Sequence, residues 1–426
     1  MNLYLFSDND VAARFGIGTY LKEMTHALEG TSIHVHIVHL HSARPEFIIE
    51  KSRLFLRQND RSLLTGQVEN WYIPEVRNQN TFDGTIQKVE DYFRNVIYLL
   101  RLNIKETTDL VFHFNYNQSQ ALAKGLKEIF DCKTVTTIHF MKWAFEYQGN
   151  LQQLHALKSK PENQMSSIEQ LFYTTDAYEG LLYKEVDRVI ALSQHMKNLL
   201  CNEYRLNPEK ICVIPNGLDG ASFMPVTDKK NLRGKWKISE NESLILFAGR
   251  LHSIKGLIFL IRAFRKVLET IPDSRLVVAG SGNSDTYVRE SKDICTKITF
   301  AGLLDRNELY ELYQIADIGV VPSLYEPFGY VAIEMMMHEM PVVATATSGL
   351  NEVVDATCGI KVPTIEHPDR VEIDTELLAE KILYLLQHPE ERKRLGVNAR
   401  KRYERFYTSA VMRKNLLNFY SSLYDT

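Results

Sequence analysis

Val320-Val321-Pro322-Ser323-Leu324-Tyr325-Glu326-Pro327-Phe328-Gly329-Tyr330-Val331-Ala332-Ile333-Glu334 is the stretch on which the reading of this chain turns. The run from Asp317 to Val321 predicts a buried strand, ended by Pro322 and Ser323. Glu326 to Gly329 predicts a rigid turn, and a helix opens near Tyr330 with Ile333, Met336 and Met337 as its apolar stripe. A strand that stops at a Gly-containing turn and feeds a helix leaves backbone N–H groups at the positive end of the helix dipole, a combination that suits a phosphate. Glu326 sits in the turn and Glu334 about one helical turn into the helix, so both carboxylates can accept hydrogen bonds from hydroxyls beside that phosphate. Phosphates and hydroxyls together are the chemistry of a sugar nucleotide. Any strand–turn–helix unit contains such residues, so the rest of the chain has to decide.

The chain has 426 residues, enough for two or three domains, with 45% hydrophobic and 24% charged residues, the balance of a soluble globular protein. A formal net charge of -3 argues against a nucleic-acid partner, whose footprint is basic. Five scattered cysteines (Cys132, Cys201, Cys212, Cys295, Cys358) lack metal spacing and fit a reducing compartment. No secretory signal or membrane-length apolar run is present, so the expectation is a cytoplasmic protein with at most peripheral membrane contact.

Strands and helices alternate from the start. Leu3 to Phe6 is a strand, and Gly16-Ile17-Gly18 precedes a helix, a turn that lets a ligand phosphate approach the backbone. It lacks the third glycine of the dinucleotide fingerprint. Asp8-Asn9-Asp10 has the Asp-x-Asp form that can hold a divalent metal, but it stands where a polar cap is expected and is read as one. His34 to Leu40 is a second strand with histidines on an ordinary face. Residues 42 to 85 read as irregular, with Lys51, Arg53, Arg57 and Arg61 on a solvated face rather than a docking patch. Thr134 to Ile138 is a strand that ends in His139, where open α/β sheets place ligands, and a long connection runs on to about residue 165. Ser193 caps the following helix. Pro215-Asn216-Gly217 turns the chain out of the first sheet, and residues 220 to 241 read as a linker.

The second half restarts the alternation. Ser243 to Ala248 is a strand, with Gly249-Arg250 at its end and Lys255-Gly256 before the next helix, so two cations flank one strand end. Gly280-Ser281-Gly282 and Gly302-Leu303-Leu304 end the next two strands, and Ser348-Gly349 follows the strand after the central motif.

Glu326-Pro327-Phe328-Gly329 with Glu334, together with Gly249-Arg250, Lys255-Gly256 and Pro215-Asn216-Gly217-Leu218-Asp219, resembles the signature of retaining glycosyltransferases of family 4 (glycosyl transferases group 1). The resemblance implies an α/β fold of the GT-B type. Two Rossmann-like doubly wound domains would face across a cleft, with the C-terminal helix crossing back. An acceptor domain 1–220, with helix 408–426 on it, would precede a donor domain 221–407. It implies transfer of a sugar from a nucleoside-diphosphate sugar to a saccharide, a lipid-linked glycan or a peptide, without a metal or other cofactor. Arg250 and Lys255 would clamp the diphosphate with the amides of Phe328, Gly329, Tyr330 and Val331, and Gly16 and Gly18 would lie opposite. Glu334 would hold the ribose, Glu326 would orient the sugar, and His139 would contact it. Gly282 and Leu304 would line the donor, the latter at the base. The chain departs from the pattern at Phe140, where the family has an acidic or small residue, and at Ser348, where it has a glycine. Two other classes remain: a GT-B epimerase or phosphorylase, and an inert sugar-nucleotide-binding subunit.

Overall fold

The computed structural model describes residues 1–8, 16–58, 61–75, 86–115, 120–220 and 228–424. Asn9 and Asp10 of the Asp-x-Asp, and residues 221–227 of the expected linker, lie outside them. The chain divides into two compact units. The first comprises Met1–Lys142, Pro161–Gly217 and Ser409–Thr426, and the second Trp143–Lys160 and Leu218–Thr408.

The first unit is built on an eight-stranded sheet. Its strands are β1 (Asn2–Asp8), β2 (His34–Ser42), β3 (Ile48–Gln58), β4 (Arg61–Pro74), β5 (Leu110–Phe114), β6 (Cys132–Ile138), β7 (Arg188–Ala191) and β8 (Ile211–Val213). They lie in the order β3-β4-β2-β1-β5-β6-β7-β8, parallel throughout except that β3 runs antiparallel to β4. β5 is buried along its whole length, as a parallel strand covered on both faces must be.

Residues 48–58 and 61–74 therefore form two paired antiparallel strands, not the irregular segment expected. Ile48-Ile49 and Val68 to Ile73 carry β-branched and aromatic residues that favour strands, and the even spacing of Lys51, Arg53 and Arg57 is a strand period as readily as a helical one. Ser193 caps the helix Gln194–Glu203 as expected, its Oγ accepting from the Met196 N–H at 3.2 Å.

The last helix, Ser409–Ser421, belongs to the first unit and packs on the helix Gly16–Leu28. Ser409 Oγ donates to Glu23 Oε2 at 2.9 Å, and Arg413 donates to the Glu29 carbonyl at 2.8 Å. Deeper in, a fully buried polar chain ties four elements together. His113 of β5 lies 2.6 Å through Nδ1 from the Tyr420 hydroxyl and 2.7 Å through Nε2 from Thr137 Oγ1, which is 3.0 Å from the Tyr20 hydroxyl. Buried hydroxyls and ring nitrogens pair among themselves because each would otherwise lose its water partners.

The second unit holds a six-stranded parallel sheet of β9 (Ser243–Ala248), β10 (Ser274–Ala279), β11 (Ile298–Gly302), β12 (Ile318–Val321), β13 (Val342–Thr345) and β14 (Gly359–Val362). The order is β11-β10-β9-β12-β13-β14, with a small antiparallel hairpin, β15 (Thr364–Glu366) and β16 (Val371–Ile373), beside it in sequence. The sense of winding reverses at β9, which makes the gap between β9 and β12 the topological switch point where doubly wound sheets bind ligands. The helix Leu257–Thr270 buries Leu257, Leu260, Ile261, Phe264 and Val267 on one face, each worth about 1.5–3 kcal/mol over an exposed side chain.

Two segments differ from the sequence reading. Lys229–Lys235, inside the expected linker, is a helix capped by Asp228, and Arg233 donates to the Ile315 carbonyl at 3.0 Å. The long connection after His139 folds into short helices, Lys142–Glu146 and Leu151–Ser159, and Trp143–Lys160 is part of the second unit. The wholly buried Asn150 caps the second of these helices and donates through Nδ2 to the His367 carbonyl at 2.7 Å. Gln148 accepts from the Val371 N–H at 3.2 Å.

Burial pushes the His113 imidazole down to about 3. Below the unfolded value of about 6.5 the unfolded chain takes up the proton first. This part of the stability is therefore present above pH 6.5 and is lost as the pH falls toward the folded value. His113→Gln is expected to be less stable than the parent at pH 7.5. Between pH 6 and pH 5 it should lose about 1 kcal/mol less stability than the parent, read from urea unfolding at the two pH values.

Candidate functional site

The loops that leave β9 and β12 meet backbone to backbone at the switch point. The Leu324 N–H donates to the Ile254 carbonyl at 2.8 Å. At Gly256 (φ 67°) an added Cβ would fall 1.8 Å from the Pro322 carbonyl oxygen, so only glycine allows the two loops this close. The result brings Lys255 of the first loop onto Glu326 of the second, Nζ to Oε2 at 2.5 Å, with both side chains mostly buried. Ser323 Oγ donates to the same carboxylate oxygen at 3.3 Å.

The turn that carries Glu326 is held by hydroxyls from the end of β13. Thr345 Oγ1 donates to the Ser323 carbonyl at 2.5 Å, and Thr347 Oγ1 donates to that of Leu324 at 2.8 Å. Ser348 Oγ donates to the Glu326 carbonyl at 2.8 Å and accepts from the Glu326 N–H at 2.9 Å. Carbonyls in a buried turn have no sheet ladder to join, and these three side chains stand in for one. The alternation of hydroxyls in Thr345-Ala346-Thr347 is a signal that the sequence reading passed over.

The helix Tyr330–Met337 then opens at Gly329 (φ 110°) with no side-chain cap, and the Gly329 carbonyl accepts from the Ala332 and Ile333 N–H groups. The N–H groups of Tyr330 and Val331 head this helix at the switch point, as an anion site requires. Glu334, one turn in, accepts through Oε2 from the Tyr313 hydroxyl at 2.9 Å. Burial, with Glu334 beside it, holds the Tyr313 phenol well above its usual value, so it remains a donor.

Arg250 leaves β9 exposed and lies 5.5 Å over the ring of Phe145, which also packs on His252 with ring centroids 4.9 Å apart. The structure thus pairs Lys255 with Glu326 and rests Arg250 on an aromatic from the 143–160 segment. Nothing in the local sequence around Phe145 predicted this. Gly282 bridges Leu251 next to Arg250, and the Ser281 carbonyl accepts from the Leu251 N–H at 2.8 Å. Leu304 is half-buried after β11, ahead of the capping box Asp305/Glu308. Phe328 is buried against Tyr330 and Tyr407.

In the first unit, Gly16 and Gly18 open the helix that follows β1. His139 follows β6 at the carboxyl edge of its sheet, half-buried, with the Tyr20 ring edge-on at 4.6 Å. Its Nε2 lies 2.9 Å from Asn115 Oδ1, and burial pushes the imidazole well below its usual value, so it is neutral at physiological pH. Among the described residues no group of three or more His, Cys, Asp or Glu side chains could hold a metal.

Ser348 holds its position at φ 38°, where a non-glycine residue is strained by about 1–2 kcal/mol. Ser348→Ala keeps that strain and loses both hydrogen bonds, whereas Ser348→Gly loses the bonds and relieves the strain. The alanine variant is expected to be less stable than the glycine variant by about 1 kcal/mol in denaturant unfolding.

A family model described as Glycosyltransferase Family 4 matches residues 16–221, and one described as Glycosyl transferases group 1 matches residues 228–402. An uncharacterised glycosyltransferase of Methanocaldococcus jannaschii is 37% identical over 187 residues, 42% of this chain and 47% of that protein. The chain spans about half the length of the curated relatives it matches. The fold resembles that of sucrose-phosphate synthase from Thermosynechococcus elongatus, with a TM-score of 0.73 at 22% identity over 99% of both chains. It also resembles Anabaena HepE, solved in complex with UDP-glucose, with a TM-score of 0.69 at 15% identity over 99% of this chain and 100% of that one. With its two doubly wound units and the two models matched one after the other over most of the sequence, the chain belongs to the family 4 glycosyltransferases, which have the GT-B fold.

Proposed function

We propose that the protein transfers a sugar from a nucleoside-diphosphate sugar to a hydroxyl of a saccharide, a lipid-linked glycan or a peptide, with retention at the anomeric carbon and without a metal. The observation that carries this reading is the Lys255–Glu326 pair at the β9/β12 switch point, at the head of the helix Tyr330–Met337. Bond breaking in such a transfer places negative charge on the departing diphosphate. Fixed cations and N–H donors at that oxygen lower the barrier most. Lys255, Arg250 and the amides from Phe328 to Val331 supply them, which leaves a divalent cation no necessary part. The UDP-glucose held by HepE, a protein of similar fold, supports a nucleotide sugar as the donor.

Glu334, steadied by Tyr313, accepts the ribose hydroxyls, and Glu326 passes from Lys255 to the hydroxyls of the sugar ring. Gly282 and Leu304 line the donor beside the β10 and β11 exits. Orientation of the ring for front-face attack, with the departing phosphate as base, gives retention without a protein nucleophile. In the first unit, His139 accepts a hydrogen bond from a substrate hydroxyl, and Gly16 and Gly18 admit a substrate close to the backbone. No helix among the described residues is long and apolar enough to cross a membrane, and the five cysteines are free thiols, which supports action in the reducing cytoplasm. An epimerase or phosphorylase reading has no observation of its own in its favour.

The test is an assay against UDP-, GDP- and ADP-sugars with release of the nucleoside diphosphate as the signal. One of them is expected to turn over, and Lys255→Ala should lower kcat by about 10²–10³, the scale of one lost transition-state donor. Near-normal turnover in that variant would remove Lys255 from the site. An isomerised donor, or a requirement for inorganic phosphate, would reassign the reaction.

A further inference from the structure

Asn115 follows β5 as His139 follows β6, and the two strands are parallel neighbours in register from Leu110 with Cys132 to Phe114 with Thr136. Asn115 is 4% exposed, and its backbone N–H donates to the Phe6 carbonyl at 3.1 Å, so the residue is tied to the neighbouring strand β1. Its Oδ1 lies 2.9 Å from His139 Nε2, while its Nδ2 is buried with no hydrogen-bond partner among the described residues. Native interiors rarely leave an amide NH2 unpaired, and a position serving packing alone would be better filled by an apolar side chain of similar size. The arrangement is explained if the contact with His139 has a purpose.

We propose that Asn115 is a positioning residue that fixes His139 in the tautomer protonated at Nε2, so that Nδ1 presents its lone pair to a substrate hydroxyl. This rests on the reading of His139 as a substrate contact given above. An imidazole has one N–H to give when neutral, and the hydrogen bond at one nitrogen decides which atom is left as the acceptor. An amide oxygen takes that proton's hydrogen bond without adding charge. A carboxylate at the same place would favour the imidazolium, which has no lone pair to offer. The other groups that face His139 preserve neutrality. Tyr20, from the helix Gly16–Leu28, is a buried phenol whose titration is pushed up by burial. His113, from β5, is itself neutral.

The experiment uses the full chain with ¹⁵N-labelled histidine, the His139 signals being assigned by their absence in His139→Gln. Long-range ¹H–¹⁵N spectra are expected to show Nε2–H and a neutral ring from pH 8 down to pH 5. Asn115→Asp is expected to raise the titration of His139 by more than one pH unit. The acid limb of its kcat/KM profile with the nucleotide sugar should move upward by the same amount. Asn115→Ala should lower kcat with little change in KM. A parent ring protonated at Nδ1 overturns the proposal, as does an Asn115→Asp variant whose His139 titration or kcat/KM profile does not move. Failure of the transferase reading itself looks different. The parent would then turn over no nucleotide sugar, and the spectra would still decide the tautomer.

Discussion

The structure of the second unit depends on how closely the loops after β9 and β12 approach. Gly256 passes the Pro322 carbonyl with no room for a Cβ, and the Leu324 N–H closes the gap onto Ile254. That contact places Lys255 and Glu326 in one ion pair and holds the turn that starts the helix Tyr330–Met337. A mostly buried ion pair by itself adds little to stability, since desolvation offsets most of the attraction. Its value here is positional. A cation and a carboxylate are kept at the edge where two strands diverge and where an incoming anion can take over the cation's hydrogen bonds.

A second layer keeps the turn from relaxing. Thr345, Thr347 and Ser348 bond the Ser323, Leu324 and Glu326 carbonyls of the turn, and Ser348 does so at a strained φ. Where the family pattern has a glycine, this chain has a side chain that clasps Glu326 from both sides of its peptide. Arg250 is supported differently, by the ring of Phe145 carried on a segment that belongs to the second unit although the sequence places it in the first half.

Much of this was legible in the sequence because strand ends and glycine turns are local signals. The exits at Gly249-Arg250, Lys255-Gly256 and Glu326 to Gly329, and the helix start at Tyr330, were all found where the alternation of apolar runs and turns put them. What escaped was long-range. The β3–β4 pair shows no strict apolar alternation, because buried Asn70 and Trp71 are adjacent. The 143–160 segment reads as a connection, because what anchors it, the Asn150 amide on His367 and Gln148 on Val371, is more than two hundred residues away. Tyr313 looks apolar in a helical stripe, and only its hydroxyl's position beside Glu334 gives it a second task. Asn115 carries no motif at all.

The central claim is an anion pocket at the carboxyl edge of the second sheet. Calorimetric titration of the protein with UDP, GDP and ADP measures that pocket without any acceptor or chemistry. One of the three is expected to bind, and Lys255→Met should weaken it by about tenfold or more, the loss of one charge-assisted hydrogen bond. If none of the three binds, or if Lys255→Met binds the same nucleotide as tightly as the parent, the pocket is not where the diphosphate sits.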